Sequence, residues 1–144
     1  YHPVEMREAA YEHLNELRAK LPAEHTVFAA GDFNTPSTED QDTQILDRLV
    51  RPIWAVAHDH CTGCPGTYYY RPDENWSFLD TILTAPARGE KTTWRLRADS
   101  VRLVNNLPEQ RNASGAPRGF DAETRTGVSD HWPLLIRLEQ TREQ

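Results

Sequence analysis

A single carboxylate, Asp80, lies inside a run of large apolar and β-branched residues at positions 76–83. The run predicts a buried strand, and a buried carboxylate without a partner costs several kcal/mol of folding free energy. The fold must therefore bring a hydrogen-bond donor to Asp80. A histidine N–H is a natural donor, and we expect it to come from His131, which directly precedes another apolar segment.

Polar residues also border two other apolar segments. Asp32 and Asn34 follow the short β-prone segment 26–30, and Asp130 and His131 precede the apolar segment 132–138. Each motif alone favours a structural interpretation, because Asp and Asn hydrogen-bond their own backbone at strand ends. Together with Asp80, however, the motifs predict one shared location. We expect the five side chains to converge on one rim of the sheets.

The order of predicted elements indicates an α/β fold with a large β component. Residues 4–20 have apolar residues at helical spacing, and Pro22 ends the run. A strand at 26–30 and a second helix at 40–50 follow. The remaining predicted strands are 53–57, 67–70, 76–84, 93–103 and 132–138. The apolar face of the first helix is expected to comprise Met6, Ala10, Leu14, Leu17 and Leu21.

Size and charge limit the classes of protein to consider. The 144 residues, 38% of them hydrophobic and 26% charged, fit one globular domain and contain no apolar run of membrane-spanning length. With a net charge of −6, the chain lacks the broad positive field that gives proteins non-specific affinity for nucleic acid. A nuclease is still allowed, because a bound divalent cation reverses the local potential.

Taken jointly, the motifs resemble the endonuclease/exonuclease/phosphatase superfamily, which includes DNase I-like nucleases, inositol-phosphate phosphatases and neutral sphingomyelinases. The stretches that carry the resemblance are MREAAYEHLNELRAKL (6–21), GDFN (31–34), GTYYYRPDENWSFLDTIL (66–83) and GVSDHWPLLIRL (127–138). The resemblance implies a DNase I-like four-layer α/β sandwich, with helices outside two packed, mainly antiparallel sheets. It also implies a hydrolase that acts on phosphoesters.

The resemblance is incomplete at the start of the chain. In this family, strands that carry an Asn and a Glu ligand and a further active-site histidine precede the GDxN strand. No such residues are found here, since Glu5, Glu8, Glu12 and Glu16 belong to the predicted first helix. We therefore expect residues 1–144 to form a single domain fragment, the C-terminal half of the domain. Such a chain is expected to be nearly inactive alone, to bind Mg²⁺ weakly, and to pair with the missing N-terminal half or dimerise through exposed sheet surface.

The resemblance also assigns roles to individual residues. Asp32 would orient or deprotonate the attacking water, and Asn34 would hydrogen-bond a phosphate oxygen. His131 would stabilise the transition state or act as general acid, with its tautomer fixed by Asp80. Asp130 and Asp32 would contact the metal, which hard oxygen ligands predict to be Mg²⁺ or Mn²⁺. The substrate would be a phosphoester of a nucleic acid, a phospholipid head group or an inositol phosphate.

One further cluster, residues 58–64, contains His58, His60, Cys61 and Cys64. It allows a local disulfide or free thiols, a loop without such a role, or a zinc site, although four ligands in one turn are difficult to arrange around a metal. A disulfide would favour an exported protein, while the compartment is otherwise unknown. The alternatives to a phosphoesterase are thus a zinc-binding interaction domain at residues 58–64 and a non-catalytic binding module of the same fold.

Overall fold

The computed structural model describes residues 3–89 and 92–142, so the predicted domain of residues 1–144 includes six positions outside the described residues. The first helix, α1, spans Val4–Lys20, as predicted. It begins after Pro3 and ends where Leu21 becomes extended before Pro22. Among the described residues, no helix combines the length and the apolar composition that a membrane span requires.

The buried face of α1 differs from the predicted one except at Leu14, which is partly buried and packs against the core. Its buried residues are Arg7, Tyr11 and Arg18, whereas Met6 and Leu17 are 56% and 46% exposed. Arg7 can be buried because its guanidinium forms an ion pair with Glu39, with Nε donating to Oε1 at 2.6 Å. The ion pair with Glu39 allows the side of the helix that carries Arg7 to pack against the core. The spacing of apolar residues along the helix gives no information about such a pair.

The predicted second helix, 40–50, is divided into two segments. Helix α2 spans Ser37–Thr43 and ends at Gln44, whose φ of 53° lies in the left-handed region. A π-helical turn, Leu46–Val50, follows. The Asp40 side chain accepts a hydrogen bond from the Leu46 backbone N–H at 2.9 Å, which satisfies an amide that continuous helix would have paired internally.

Within residues 3–89 and 92–142, four small antiparallel sheets form the β part of the structure. Strand β1 (Val27–Asp32) and strand β2 (Ala55–Val56) flank β5 (Asp80–Ala85) in a three-stranded sheet. The other three sheets are pairs: β3 (Tyr68–Tyr70) with β4 (Asn75–Ser77), β6 (Thr92–Leu96) with β9 (Leu138–Arg142), and β7 (Arg102–Leu103) with β8 (Leu134–Leu135).

The three-stranded sheet separates two apolar clusters. Leu83 of β5 packs with Tyr11 of α1 and with the π-helical turn on one side. Ile82 packs with Val101 and Leu134 on the other side, together with residues of β6 and β7. Neighbouring residues of one strand point to opposite faces, so β5 contributes to both clusters. The predicted α/β class is therefore confirmed, with small antiparallel sheets and few helices.

The predicted strand 76–84 is interrupted, and the interruption explains where Asp80 lies. Residues 78 and 79 leave the β3–β4 sheet, and β5 begins at Asp80 in the three-stranded sheet. Asp80 is thus the first residue of a strand and not an interior one. Its side chain is 27% exposed, which gives the carboxylate access to the rim.

A long loop at residues 108–127 contains one short helical turn, Pro108–Gln110, and no strand. It is nevertheless anchored. The Gln110 side chain donates to the Val104 carbonyl at 2.9 Å, and the Gln110 carbonyl accepts a hydrogen bond from the Trp132 indole at 3.2 Å. Near the end of the loop, Gly127 has φ 79° and lies so close to the Gly119 carbonyl that no side chain fits there. The loop therefore has one defined path beside the segment that carries His131.

Candidate functional site

The centre of the site is a hydrogen bond between Asp80 and His131, which are 51 positions apart in the chain. His131 Nδ1 lies 2.6 Å from Asp80 Oδ2. An ionised carboxylate only accepts hydrogen bonds, so Nδ1 carries the proton and Nε2 is the nitrogen left for other partners. The His131 backbone N–H donates to Ser129 Oγ at 3.1 Å, which fixes the start of this segment. The partner predicted for Asp80 is confirmed.

Each member of the pair changes the ionisation of the other. Partial burial raises the pKa of Asp80, but hydrogen bonds from His131 and Thr67 outweigh it and leave that pKa below its usual value. The hydrogen bond to Asp80 raises the pKa of His131 despite partial burial, and the charges of Asp80, Asp32 and Asp130 add to the increase. The pair thus favours an imidazolium beside a carboxylate.

Asp32 joins this pair because of strand register. It is the last residue of β1 and lies directly opposite Asp80, the first residue of β5. One ligand atom each from Asp32, Asp80 and His131 all lie within 4.8 Å of one another. Two strand ends and the segment after the long loop therefore meet at a single point, as the sequence predicts for these three residues.

Asn34 lies beside Asp32 and is bonded to it. Its backbone N–H donates to Asp32 Oδ1 at 2.9 Å, and its carboxamide Nδ2 donates to Oδ2 at 3.1 Å. Asn34 has φ 52°, a left-handed conformation that Asn tolerates better than most residues. Tyr11 of α1 supports the following turn, since its hydroxyl is 2.9 Å from Thr35 Oγ1. The Asp32 carboxylate is thereby held in one orientation.

Asp130 lies at the side of the site. Its side chain is exposed and close to Gly119, and it is not part of the group of ligand atoms that contains Asp32. Its charge still acts on His131, whose pKa it raises. Of the two predicted metal ligands, Asp32 is at the centre of the site, whereas Asp130 flanks it.

The donor set suits a hard divalent cation. Each Asp32 oxygen accepts one hydrogen bond from Asn34 and keeps a lone pair for a further contact. His131 Nδ1 is occupied by Asp80, which leaves Nε2 as the imidazole nitrogen available to another partner. Oxygen donors from one or two carboxylates fit Mg²⁺, which retains several of its waters when bound to proteins. Asp32, with Asp80 next to it, is the position that could hold such an ion.

Two residues of the site carry no signal that identified them in the sequence. Thr67 is fully buried; its hydroxyl accepts a hydrogen bond from the Asp80 N–H at 3.1 Å, and its carbonyl accepts one from the Trp132 N–H at 2.8 Å. Tyr68, the next residue, contacts His131 with its ring. In the sequence both fit an ordinary strand. The only hint is Gly66, where a Cβ would lie 2.7 Å from the Ser77 carbonyl oxygen.

An open cavity of about 350 Å³ adjoins the Asp80–His131 pair. Besides that pair, it is lined mostly by small or apolar residues, among them Ala30, Gly31, Ile82, Pro133 and Leu134. A larger cavity of about 560 Å³ lies near Phe28 and Trp94 and is lined by none of the five predicted site residues. The candidate site is therefore identified by its ionisable and hydrogen-bonding side chains and not by the size of its cavity.

Of the alternatives predicted for residues 58–64, the structure contains the local disulfide. Cys61 and Cys64 form a disulfide, so neither sulfur is free to bind zinc. His58 is packed inward: its ring stacks on Phe78 at 4.8 Å, and its Nδ1 lies 2.9 Å from Thr81 Oγ1. Burial lowers the pKa of His58 to about 4. The zinc alternative thus has no support from this arrangement.

Comparison of the chain with protein-family models, curated proteins and solved structures gives no significant match. The interpretation of the site therefore depends on its residues and their geometry.

Proposed function

We propose that this chain belongs to the endonuclease/exonuclease/phosphatase superfamily and forms part of a DNase I-like sandwich that hydrolyses phosphoesters with Mg²⁺ or Mn²⁺. The observation that carries the proposal is the 2.6 Å hydrogen bond between Asp80 and His131, with Asp32 directly opposite Asp80. Phosphoester hydrolysis needs a positioned water, positive charge at the non-bridging oxygens and protonation of the leaving oxygen.

The residues divide these tasks according to their hydrogen bonds. His131 presents its remaining nitrogen, Nε2, and donates a proton or hydrogen bond to the phosphoryl group or the leaving oxygen. Asp80 holds Nδ1 and stabilises the imidazolium. Asp32, whose orientation is fixed by Asn34, aligns the attacking water. Asn34 has a second carboxamide proton that is suited to a phosphate oxygen.

A divalent cation at Asp32, with Asp130 as a flanking carboxylate, would supply positive charge to the phosphoryl group. The substrate is a phosphoester of a nucleic acid, a phospholipid head group or an inositol phosphate. These classes share the same reacting group, and the proposal extends to all three. The Cys61–Cys64 disulfide further supports an oxidising compartment, and we propose that the protein is exported.

The test is hydrolysis of bis-p-nitrophenyl phosphate and p-nitrophenyl phosphate by the purified chain, with Mg²⁺, Mn²⁺ or EDTA. We expect slow, metal-dependent turnover, because few carboxylates hold the ion. His131→Asn should abolish it, while the matched variant His60→Asn, which changes an exposed histidine, should not. Turnover that survives in EDTA, or that is equal in the His131 variant, would contradict the proposal. Binding of phosphoesters without any turnover would favour the non-catalytic module.

A further inference from the structure

We propose that Tyr68 is a positioning residue for His131, and this inference rests on the proposed function of the Asp80–His131 pair. The ring centroids of Tyr68 and His131 are 4.8 Å apart, and the two planes are inclined at 40°. The two residues also form an antiparallel backbone bridge. Tyr68 is therefore attached to His131 through both the main chain and the side chain.

The contact restricts a motion that the hydrogen bond to Asp80 leaves open. A single hydrogen bond at Nδ1 fixes one edge of the imidazole, but it still allows the ring plane to turn about that bond. The Tyr68 ring occupies one side of the imidazole and limits this rotation. The contact therefore favours one orientation of the imidazole and hence one position of Nε2.

Tyr68 is itself held by the residues around it. Its neighbour Thr67 contacts Asp80 and Trp132, so one dipeptide supports both members of the catalytic pair. The ring of Tyr69, the next residue along, packs on Trp76 at 5.1 Å, and Trp76 packs on Trp132 at 4.9 Å. Because side chains alternate along a strand, this aromatic row backs the face opposite to Tyr68.

Precise orientation matters because Nε2 must reach a defined phosphoryl or leaving-group oxygen. A displacement of about 1 Å in a reacting group can lower turnover about a hundredfold. Loss of the Tyr68 ring should therefore lower kcat more than it changes KM. Loss of only its hydroxyl should have little effect, since the ring makes the contact.

The experiment compares Tyr68→Leu and Tyr68→Phe with Tyr70→Leu, the same substitution at an exposed position of β3. We expect kcat to fall about tenfold or more in Tyr68→Leu, with KM within about twofold. Tyr70→Leu should keep the kcat of the unmodified protein, and Tyr68→Phe, which retains the ring, should lose much less than Tyr68→Leu. Equal kcat in Tyr68→Leu would overturn the proposal. Equal losses in Tyr68→Phe and Tyr68→Leu would also overturn it, by assigning the effect to the hydroxyl.

A second measurement separates this inference from the proposed function. The ring-proton NMR signals of His131, assigned by their absence in His131→Asn, carry the ring-current shift of Tyr68. They should move in Tyr68→Leu and stay in place in Tyr68→Phe and Tyr70→Leu. An unchanged His131 signal in Tyr68→Leu would overturn the positioning role even if the protein hydrolyses nothing. If Tyr68→Leu does not fold, Tyr68→Ile, which retains β-propensity, takes its place in both measurements.

Discussion

Asp32 and Asp80 lie directly opposite each other on neighbouring antiparallel strands. Carboxylates in this arrangement repel each other and destabilise a sheet unless positive charge is close. The hydrogen bond to Asp80 raises the pKa of His131 and so favours positive charge there. A divalent cation at Asp32 would supply further positive charge. Because of this strand register, positive charge near Asp32 and Asp80 would stabilise the fold. Positive charge at the same place would also stabilise a bound phosphoester.

The first prediction concerns Asp80→Asn. The carboxamide retains the shape of the side chain but no longer carries the charge that stabilises an imidazolium at His131. Turnover with Mn²⁺ should fall by about 10²- to 10⁴-fold, because the contribution of the proton donor is lost. Steady-state kinetics measure this, and the melting temperature should change little. If Asp80→Asn had the turnover of the unmodified protein, Asp80 would have only a structural role.

The second prediction concerns the metal and does not depend on turnover. An ion that binds only the folded chain raises its stability by about 1.4 kcal/mol at a free concentration tenfold above Kd, which corresponds to roughly 3–6 °C in melting temperature. Mg²⁺ or Mn²⁺ should produce this increase in the unmodified chain, and EDTA should remove it. Asp32→Asn should abolish the increase, whereas Asp73→Asn, at an exposed carboxylate, should preserve it. Equal stabilisation of both variants would place the ion elsewhere.

The third prediction concerns the pH dependence of folding stability. Burial lowers the pKa of His58 from 6.5 to about 4, so below pH 6.5 the unfolded chain binds a proton that the folded chain does not. Stability from neutral His58 is therefore fully present above pH 6.5 and is lost as the pH falls towards 4. The loss should reach about 3 kcal/mol, since each pKa unit corresponds to about 1.4 kcal/mol.

Urea unfolding at pH 7 and pH 4.5 measures the His58 contribution. His58→Asn can keep the hydrogen bond to Thr81 but does not titrate, so its stability should fall less between the two pH values. His60→Asn, at the exposed histidine of the same turn, should behave like the unmodified chain. The Asp80–His131 pair is present in all three proteins, and its own titration cancels in the comparison. Parallel pH profiles for His58→Asn and the unmodified chain would refute the prediction.

The fourth prediction concerns the outer edge of β1. The Phe33 N–H bonds the Leu79 carbonyl, which sets the phase of the ladder and directs the backbone groups of residues 28, 30 and 32 away from β5. In the described part of the chain no strand pairs with this edge, and Phe28 beside it is 43% exposed. Such an edge favours strand pairing, and we expect two copies of the chain to associate there.

Sedimentation equilibrium should then show a dimer whose fraction rises with concentration. Ala30→Lys should weaken association, because a lysine on an edge strand opposes pairing. Ala10→Lys, the same change at an exposed position of α1, should leave it unaltered. A monomer at all concentrations, or equal dimerisation of both variants, would exclude β1 as the interface.

The site was predicted from the sequence more accurately than the packing around it was. A carboxylate in an apolar strand requires a donor, and His131 is a histidine that directly precedes another apolar segment. The limits of α1 also followed from the sequence, because prolines flank it on both sides. Its buried face did not, since a periodic pattern of apolar residues cannot show that Glu39 would neutralise Arg7 and so permit its burial.

Other differences arise from tertiary contacts that have no local signature. The strand predicted at 76–84 contains neither Gly nor Pro, yet it divides at residues 78–79 to serve two sheets. Thr67 and Tyr68 have the composition of an ordinary strand, and only the position of the chain around them brings them to Asp80 and His131. Such roles depend on which segments of the chain are neighbours in the folded structure. No short sequence pattern shows which segments these are.

The close packing of Trp76 on Trp132 has an optical consequence. Two indoles whose centres are 4.9 Å apart couple their electronic transitions, so the pair should contribute a distinct band to the circular dichroism spectrum. Trp132 follows His131 directly, while Trp76 belongs to β4. The band should vanish when the segment containing His131 separates from β4, even where other sheets persist. The chain thus contains an intrinsic chromophore pair that reports, without any label, whether its histidine is in place.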